Sequence, residues 1–173
     1  LVSGQRISAC QYDYDLKSKR FLFDTGEATL DKLLNKVEQT PALFEDLVRT
    51  KKRLWKAGFA TYSDVEIIAI KTLRNKALLN YFERFARRYP VIFIDECQDL
   101  SFAQLSIIKS LHQLGIRFHF VGDLNQSIYG FRRSEPVLVK QFIEDLAFKS
   151  FDLTTNWRSG QGVVDLCCKL LRL

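Results

Sequence analysis

Val91-Ile92-Phe93-Ile94-Asp95-Glu96-Cys97-Gln98-Asp99 is the stretch on which the reading of the chain turns. Its first four residues are a continuous apolar run, three of them β-branched, opened by Pro90. Such a run predicts a short strand buried on both faces, as in a parallel sheet. Asp95 and Glu96 then stand at the carboxyl end of that strand, the edge at which open α/β sheets bind ligands. Carboxylates there are costly unless they meet cations or hydrogen-bond donors. An Asp at this place can hold Mg²⁺ through water, and an adjacent Glu can polarise an attacking water. Taken alone, the stretch reads equally as a capped strand-to-helix turn.

Working outward, the spacing predicts a helix over 101–114 ending at Gly115, and Phe118-His119-Phe120-Val121 predicts a second strand. A loop, a helix over 135–147, a strand near 148–153 and a helix from 161 follow. Strand–helix–strand–helix order predicts an α/β fold with a doubly wound parallel sheet. Upstream the texture is different. Residues 6–24 alternate as a hairpin, with Tyr12, Tyr14, Phe21 and Phe23 on one face. A helix over 27–39 would bury Leu30, Leu33, Leu34 and Val37. Pro41 can open a second helix that Gly58 stops. Ser63 or Asp64 can cap a long third helix reaching Arg88, with Val65, Ile68, Leu73, Leu78, Tyr81, Phe82 and Phe85 on its apolar face, and Pro90 ends it.

Two further segments carry chemistry. Gly122-Asp123-Leu124-Asn125-Gln126-Ser127-Ile128-Tyr129-Gly130-Phe131-Arg132 leaves the second strand at the same sheet edge. Gln126 can sense a phosphate or a water, and Tyr129, Phe131 and Arg132 offer aromatic faces and a guanidinium to unpaired bases. Tyr129 and Phe131 read equally as core. Asn156-Trp157-Arg158-Ser159 sets an Arg where it can reach a γ-phosphate and a Trp that can stack on a purine. The same four residues also suit an ordinary turn with Ser159 as helix cap.

Composition narrows the class. Apolar residues make up 47% and charged residues 27% of 173, with 14 Phe, which excludes a disordered chain. No apolar stretch is long enough to cross a bilayer, and no signal peptide is read. Cys10, Cys97, Cys167 and Cys168 form no Cys-x-x-Cys pair, and His112 and His119 lack ligand-like company, so reduced thiols are expected rather than a Cys/His metal site. The absence of Met and the start at Leu1 lead to the expectation of an excised segment. Residues 1–90 hold 17 Lys and Arg against 11 Asp and Glu, so the whole net charge of +6 lies there. It is densest at Arg49, Lys51, Lys52, Arg53 and Lys56 and again at Arg84, Arg87 and Arg88, which suits a phosphate backbone or a solvated helix face.

Asp-Glu-Cys-Gln-Asp resembles motif II of the UvrD/Rep/PcrA superfamily 1 DNA helicases, often written DEAQD. Gly-Asp-Leu-Asn-Gln-Ser-Ile-Tyr-Gly-Phe-Arg resembles their motif III, and Asn-Trp-Arg-Ser their motif IV. The three follow in the family's order and with its gaps. The resemblance covers residues 58–173, and 1–57 match in character only. It implies a P-loop NTPase (RecA-like) parallel sheet of helicase domain 1A, incomplete, with a helical and basic inserted subdomain. Residues 1–57 would belong to that 1B-like insertion, 58–153 to domain 1A with motifs II and III, and 154–173 to motif IV and the start of the second motor domain. It further implies ATP and Mg²⁺ as substrate and cofactor, with Asp95 on the metal and Glu96 as catalytic base. Gln126 would contact the γ-phosphate, Trp157 would stack on adenine and Arg158 would act as arginine finger. Tyr129 and Phe131 would meet single-stranded bases, with Arg132 beside them. Trp157 stands where relatives more often have Tyr, and Cys97 where Ala is common; neither swap removes chemistry.

No Gly-x-x-x-x-Gly-Lys-Thr/Ser occurs, and no Gly-Lys pair. That loop normally supplies the backbone cradle, the Lys and the hydroxyl for Mg²⁺. The expected protein is therefore part of an ATP-driven helicase moving 3′ to 5′ on single-stranded DNA or at a single-strand/duplex junction. It would work beside other segments of its parent chain, in the cytoplasm or in a nucleus, without a membrane. The piece alone is not expected to hydrolyse ATP. An alternative is a nucleic-acid-binding or docking module without ATPase activity. A decayed nucleotide-binding scaffold fits less well, since Asp95, Glu96, Gln126 and Arg158 stand together.

Overall fold

Alternating aromatic residues make the hairpin that the sequence predicts. In the computed structural model, which describes residues 2, 4, 6–123, 126 and 136–171, β1 (Tyr12–Asp15) pairs antiparallel with β2 (Arg20–Phe23), with Tyr12 opposite Phe23 and Tyr14 opposite Phe21. The chain divides into two compact units, Leu1–Phe142 and Ile143–Leu173.

In the first unit, α1 (Ala28–Lys36) and α2 (Pro41–Lys56) cover the hairpin. Tyr12, Phe21, Phe23, Leu34 and Leu47 form the core there, with Tyr14 and Phe44 packed against it. The rings meet edge-on, Tyr12 to Phe21 at 5.5 Å and Tyr14 to Phe44 at 6.0 Å, the arrangement favoured by ring quadrupoles. Leu34 is wholly buried, a contribution of about 1.5–3 kcal/mol. Leu33, expected on the same face, is 58% exposed, because α1 stops at Lys36 and presents a narrower stripe. Side-chain amides close the outer edge of β2. Asn35 Oδ1 accepts from Phe23 N–H at 2.7 Å and its Nδ2 donates to Phe23 O at 3.0 Å. Gln39 treats Phe21 the same way, at 2.9 and 2.6 Å.

Pro41 occupies the first turn of α2, with Thr40 as cap. Lys51, expected in an exposed basic patch, is instead 2% exposed. Its Nζ lies 3.1 Å from Asp13 Oδ1 and 3.1 Å from Asp64 Oδ2, and 5.1 Å from the centre of the Tyr12 ring. The Tyr12 hydroxyl donates to Leu47 O at 3.2 Å. Burial, with the Asp46 and Asp64 charges adding to it, pushes that phenol up to about 12 against an opposing hydrogen bond from Thr50.

The next helix begins one to three residues earlier than the expected caps. Thr61 caps α3 (Tyr62–Leu73): its side chain accepts from Asp64 N–H, while the Asp64 carboxylate accepts from Thr61 N–H at 3.0 Å. Asp64 is thus the return arm of a capping box rather than the cap itself. Nor does one helix run to Arg88. Arg74 ends α3, and Asn75 turns extended and accepts from Ala77 N–H at 3.0 Å, starting a short 3-10 turn at Lys76–Leu78. Asn competes with the helix by such local bonds. A separate α4 (Leu79–Arg88) follows. Its register exposes Tyr81 (65%), and α3 exposes Val65 (55%), so those two leave the expected apolar face while Ile67 and Ile70 fill it.

Then comes the decisive strand. β3 (Val91–Ile94) pairs in parallel with β4 (Arg117–Phe120), Ile94 opposite Phe120. Burial on both faces is not observed. Phe93 is 74% exposed and stacks on His119 at 4.8 Å, because no described element covers that face of the pair. On the other face Phe118 is buried and Phe120 meets Phe142 edge-on at 6.2 Å. Between the strands runs α5 (Phe102–Gln113), capped by Ser101 with Gln104 and packed on α3 through buried Leu105 and Ile108. After the described part of the loop, α6 (Pro136–Asp145) carries the wholly buried Val139.

In the second unit, the strand expected near 148–153 is absent among the described residues. Phe151 and Leu153 are 74% and 91% exposed, and a strand forms only with a ladder partner, which this unit's described residues do not supply. α7 (Gln161–Leu171) begins where expected, with Gly160 O accepting from Val163 and Val164 N–H. The fold is mixed α/β, with one antiparallel and one parallel two-stranded sheet among the described residues.

Candidate functional site

Parallel pairing brings the carboxyl ends of β3 and β4 side by side. Val121 N–H donates to Ile94 O at 2.8 Å, and Cys97 N–H returns to Val121 O at 3.0 Å. Past Ile94 the chain must turn sharply, and it does so at Glu96, whose φ of 51° and ψ of 42° are left-handed. A non-glycine residue rarely holds this conformation unless its surroundings enforce it. Asp95 Oδ1 accepts from Glu96 N–H at 2.9 Å, and Cys97–Asp99 form one 3-10 turn. Asp95 and Glu96 are exposed at the sheet edge, while Cys97 and Gln98 are buried beneath them. Burial pushes the Cys97 thiol up, and the charges of Asp95 and Glu96 push it further, against an opposing backbone hydrogen bond. It is a packing thiol, not a nucleophile.

Gln98 joins the two strand ends. Its Nε2 donates to Glu96 Oε2 at 2.6 Å, and its Oε1 accepts from Asp123 N–H at 3.2 Å. Asp123 Oδ2 in turn accepts from Gln126 Nε2 at 2.9 Å. Glu96 and Gln126 are therefore connected through Gln98 and Asp123. Asp95 sits at the same edge. Gly122 is needed there for space. A Cβ on it would lie 2.5 Å from Gln98 Oε1 and 2.7 Å from Cys97 Sγ. We expect Gly122→Ala to destabilise the fold by about 1–3 kcal/mol through overpacking, measured by denaturant unfolding. A midpoint unchanged from the parent chain would show that the two strand ends lie farther apart than this.

Tyr129, Phe131 and Arg132, named from the sequence as a base-stacking platform, lie outside the described residues. Trp157 and Arg158 belong to the second unit, where Trp157 is 92% exposed. Asn156 Oδ1 accepts from Arg158 N–H at 2.8 Å and from Ser159 N–H at 2.9 Å, so Asn156 rather than Ser159 organises that turn. Among the described residues no group of three His, Cys, Asp or Glu converges as a metal cage. One or two exposed carboxylates nonetheless fit Mg²⁺, which keeps waters and takes substrate phosphates as its other ligands. A cavity of about 830 Å³ opens beside the site, reached by Asp99 and lined by Tyr62, Glu66 and Phe102, but not by Asp95, Glu96 or Gln126. Four of the predicted basic residues, Arg49, Lys52, Arg53 and Lys56, are exposed along α2. No described helix is long and apolar enough to cross a membrane.

Sequence reasoning missed Gln98 and Asp123 as working parts. A polar residue following Cys97 at a buried strand end was the available signal; its partner 25 residues on is set by strand register, which local pattern does not encode.

Comparison with known proteins adds the following. The model of the UvrD/REP helicase N-terminal domain matches residues 10–147. The chain is similar to an ATP-dependent helicase/nuclease from Carboxydothermus hydrogenoformans, at 28% identity over 155 residues, 86% of this chain and 13% of that protein. It is similar to the ATP-dependent DNA helicase srs2 of Schizosaccharomyces pombe, at 30% identity over 163 residues, 90% and 18% of the two. It is also similar to DNA helicase II of Haemophilus influenzae, at 28% identity over 116 residues, 67% and 16% of the two. The chain thus spans less than a fifth of each of these relatives.

Proposed function

Since the chain belongs to the UvrD/REP helicase family through its match to that family's N-terminal domain, we propose that it is part of an ATP-dependent DNA helicase. The parent would couple ATP hydrolysis to movement along single-stranded DNA, 3′ to 5′. The observation that carries this reading is the parallel strand end where Asp95 and Glu96 stand together and Gln98 links Glu96 to the segment bearing Gln126. In this reading the described α/β core is an incomplete RecA-like domain 1A holding motifs II and III. Residues 1–57 belong to a 1B-like insertion and 154–173 begin the second motor domain.

Roles follow from position. Asp95 would hold Mg²⁺ through water, and the metal would neutralise charge developing on the phosphate oxygens. Glu96 accepts a proton from the attacking water. Gln126 orients that water or the γ-phosphate. Trp157 stacks on adenine, Arg158 offsets charge in the transition state, and Tyr129, Phe131 and Arg132 take unpaired bases. Without a Gly-Lys-Thr/Ser phosphate loop the chain alone does not hydrolyse ATP.

A second reading, a nucleic-acid-binding module without ATPase activity, rests on the exposed row Arg49, Lys52, Arg53 and Lys56. One experiment separates the two: ATP turnover with and without single-stranded DNA, on the full-length parent and on this chain. DNA-stimulated turnover in the parent alone supports the helicase. No turnover in either, with single-strand affinity that falls steeply with salt, supports the binding module.

A further inference from the structure

We propose that Gln98 is a positioning residue for hydrolysis, holding the Glu96 carboxylate in place and tying it to the chain segment that carries Gln126. The proposal rests on Glu96 as the base. Glu96 is exposed, and an exposed glutamate spreads over many rotamers, whereas a general base has to be held within hydrogen-bond reach of its water. Gln98 supplies that restraint from below. It is 2% exposed, so its own side chain is fixed. Its amide is used at both ends, the NH₂ on Glu96 Oε2 at 2.6 Å and the carbonyl on Asp123 N–H at 3.2 Å. With Oε2 engaged, Oε1 is left to receive the proton. Gln98 itself gains and loses none.

The arrangement also has a direction. Asp123 holds Gln126 twice, through Oδ2 at 2.9 Å and through its carbonyl to Gln126 N–H at 3.0 Å. A shift of the Gln126 segment therefore reaches the Glu96 carboxylate through one buried amide. The space is reserved for it, since a Cβ at residue 122 would come within 2.5 Å of Gln98 Oε1.

The test is steady-state ATP hydrolysis by the full-length parent with saturating single-stranded DNA. Gln98→Met keeps the approximate volume and removes both hydrogen bonds. Its kcat is expected to fall roughly tenfold to a hundredfold, as misplacement of a catalytic group does, with KM for ATP and equilibrium nucleotide affinity within about twofold. Gln98→Glu keeps the shape and an acceptor for Asp123 N–H but sets an acceptor against Glu96, and should lose kcat in the same way. An unchanged kcat in either folded variant overturns the proposal, as does a raised KM with kcat preserved. Loss of folding in both would make Gln98 a packing residue only and overturn it too. Glu96→Gln serves as the reference: if it still hydrolyses ATP, the base assignment itself has failed. If it is inactive while Gln98→Met is not, only the role of Gln98 has.

Discussion

Replacing Lys51 by alanine will lower the unfolding free energy by about 3–5 kcal/mol, the usual result of removing one partner from a buried ion pair. The Lys51 side chain is 2% exposed and that of Asp64 3%. One ammonium serves two carboxylates at 3.1 Å each, and Thr61 completes the set, its hydroxyl donating to Asp13 Oδ1 at 2.7 Å. Without Lys51, Asp64 is left as a buried anion held only by the Thr61 N–H and weaker donors. Urea unfolding will show the loss, and Asp64→Asn in the Lys51→Ala background should return part of it. A change under about 1 kcal/mol, typical of exposed pairs, would mean that the triad is open in solution. The same group sets an acid limit. Burial pushes the Asp64 carboxyl up. The Thr61 N–H, the Trp55 indole and the Lys51 ammonium outweigh burial and hold it below the usual carboxylate range. The indole contributes by proximity, since its Nε1 closes no hydrogen bond within normal limits. A depressed folded value means that this stability is complete above the unfolded value of about 3.9 and is lost as pH falls through the folded one. Asp64→Asn should lack that acid-dependent part.

In the full-length parent, Glu96→Gln will reduce ATP turnover by roughly 10²–10⁴-fold, the range for loss of a general base, and leave ATP binding within a few-fold. The substitution keeps the shape at a position whose left-handed backbone is held by neighbours that it does not alter. Single-turnover hydrolysis beside equilibrium nucleotide binding separates the two effects. Turnover that survives unchanged would sink the base assignment, and binding lost in parallel would point to a scaffold role for the carboxylate.

What could be read in advance followed the range of the interaction. The hairpin, α2 opening at Pro41, β3 with its two acids and the parallel β4 are written in local alternation, ring constraint and run length. The break at Asn75 was not, because one side-chain bond to Ala77 N–H outweighed an apolar pattern that continued on both sides. Lys51 was assigned by charge to a surface patch. Its spacing, four residues after Leu47 and four before Trp55 on the core face of α2, was the better signal. Strand-like residues at 148–153 formed no strand because a strand is a pairwise object and the pattern names no partner. At the site, Asp95 and Glu96 were legible from their place after the apolar run. Gln98 was not, since its function depends on Asp123 arriving from the next strand.

The amides of Asn35 and Gln39 have a consequence for how the protein behaves in company. An outer strand is normally an open invitation to other chains, a row of unspent donors and acceptors from which edge-to-edge aggregation starts. On β2 the outward-facing groups of Phe21 and Phe23 are already taken by two residues of the same chain. A hairpin of two strands, marginal by itself, is thereby sealed along that side: it cannot lengthen its sheet there by recruiting a stranger or a second copy of itself.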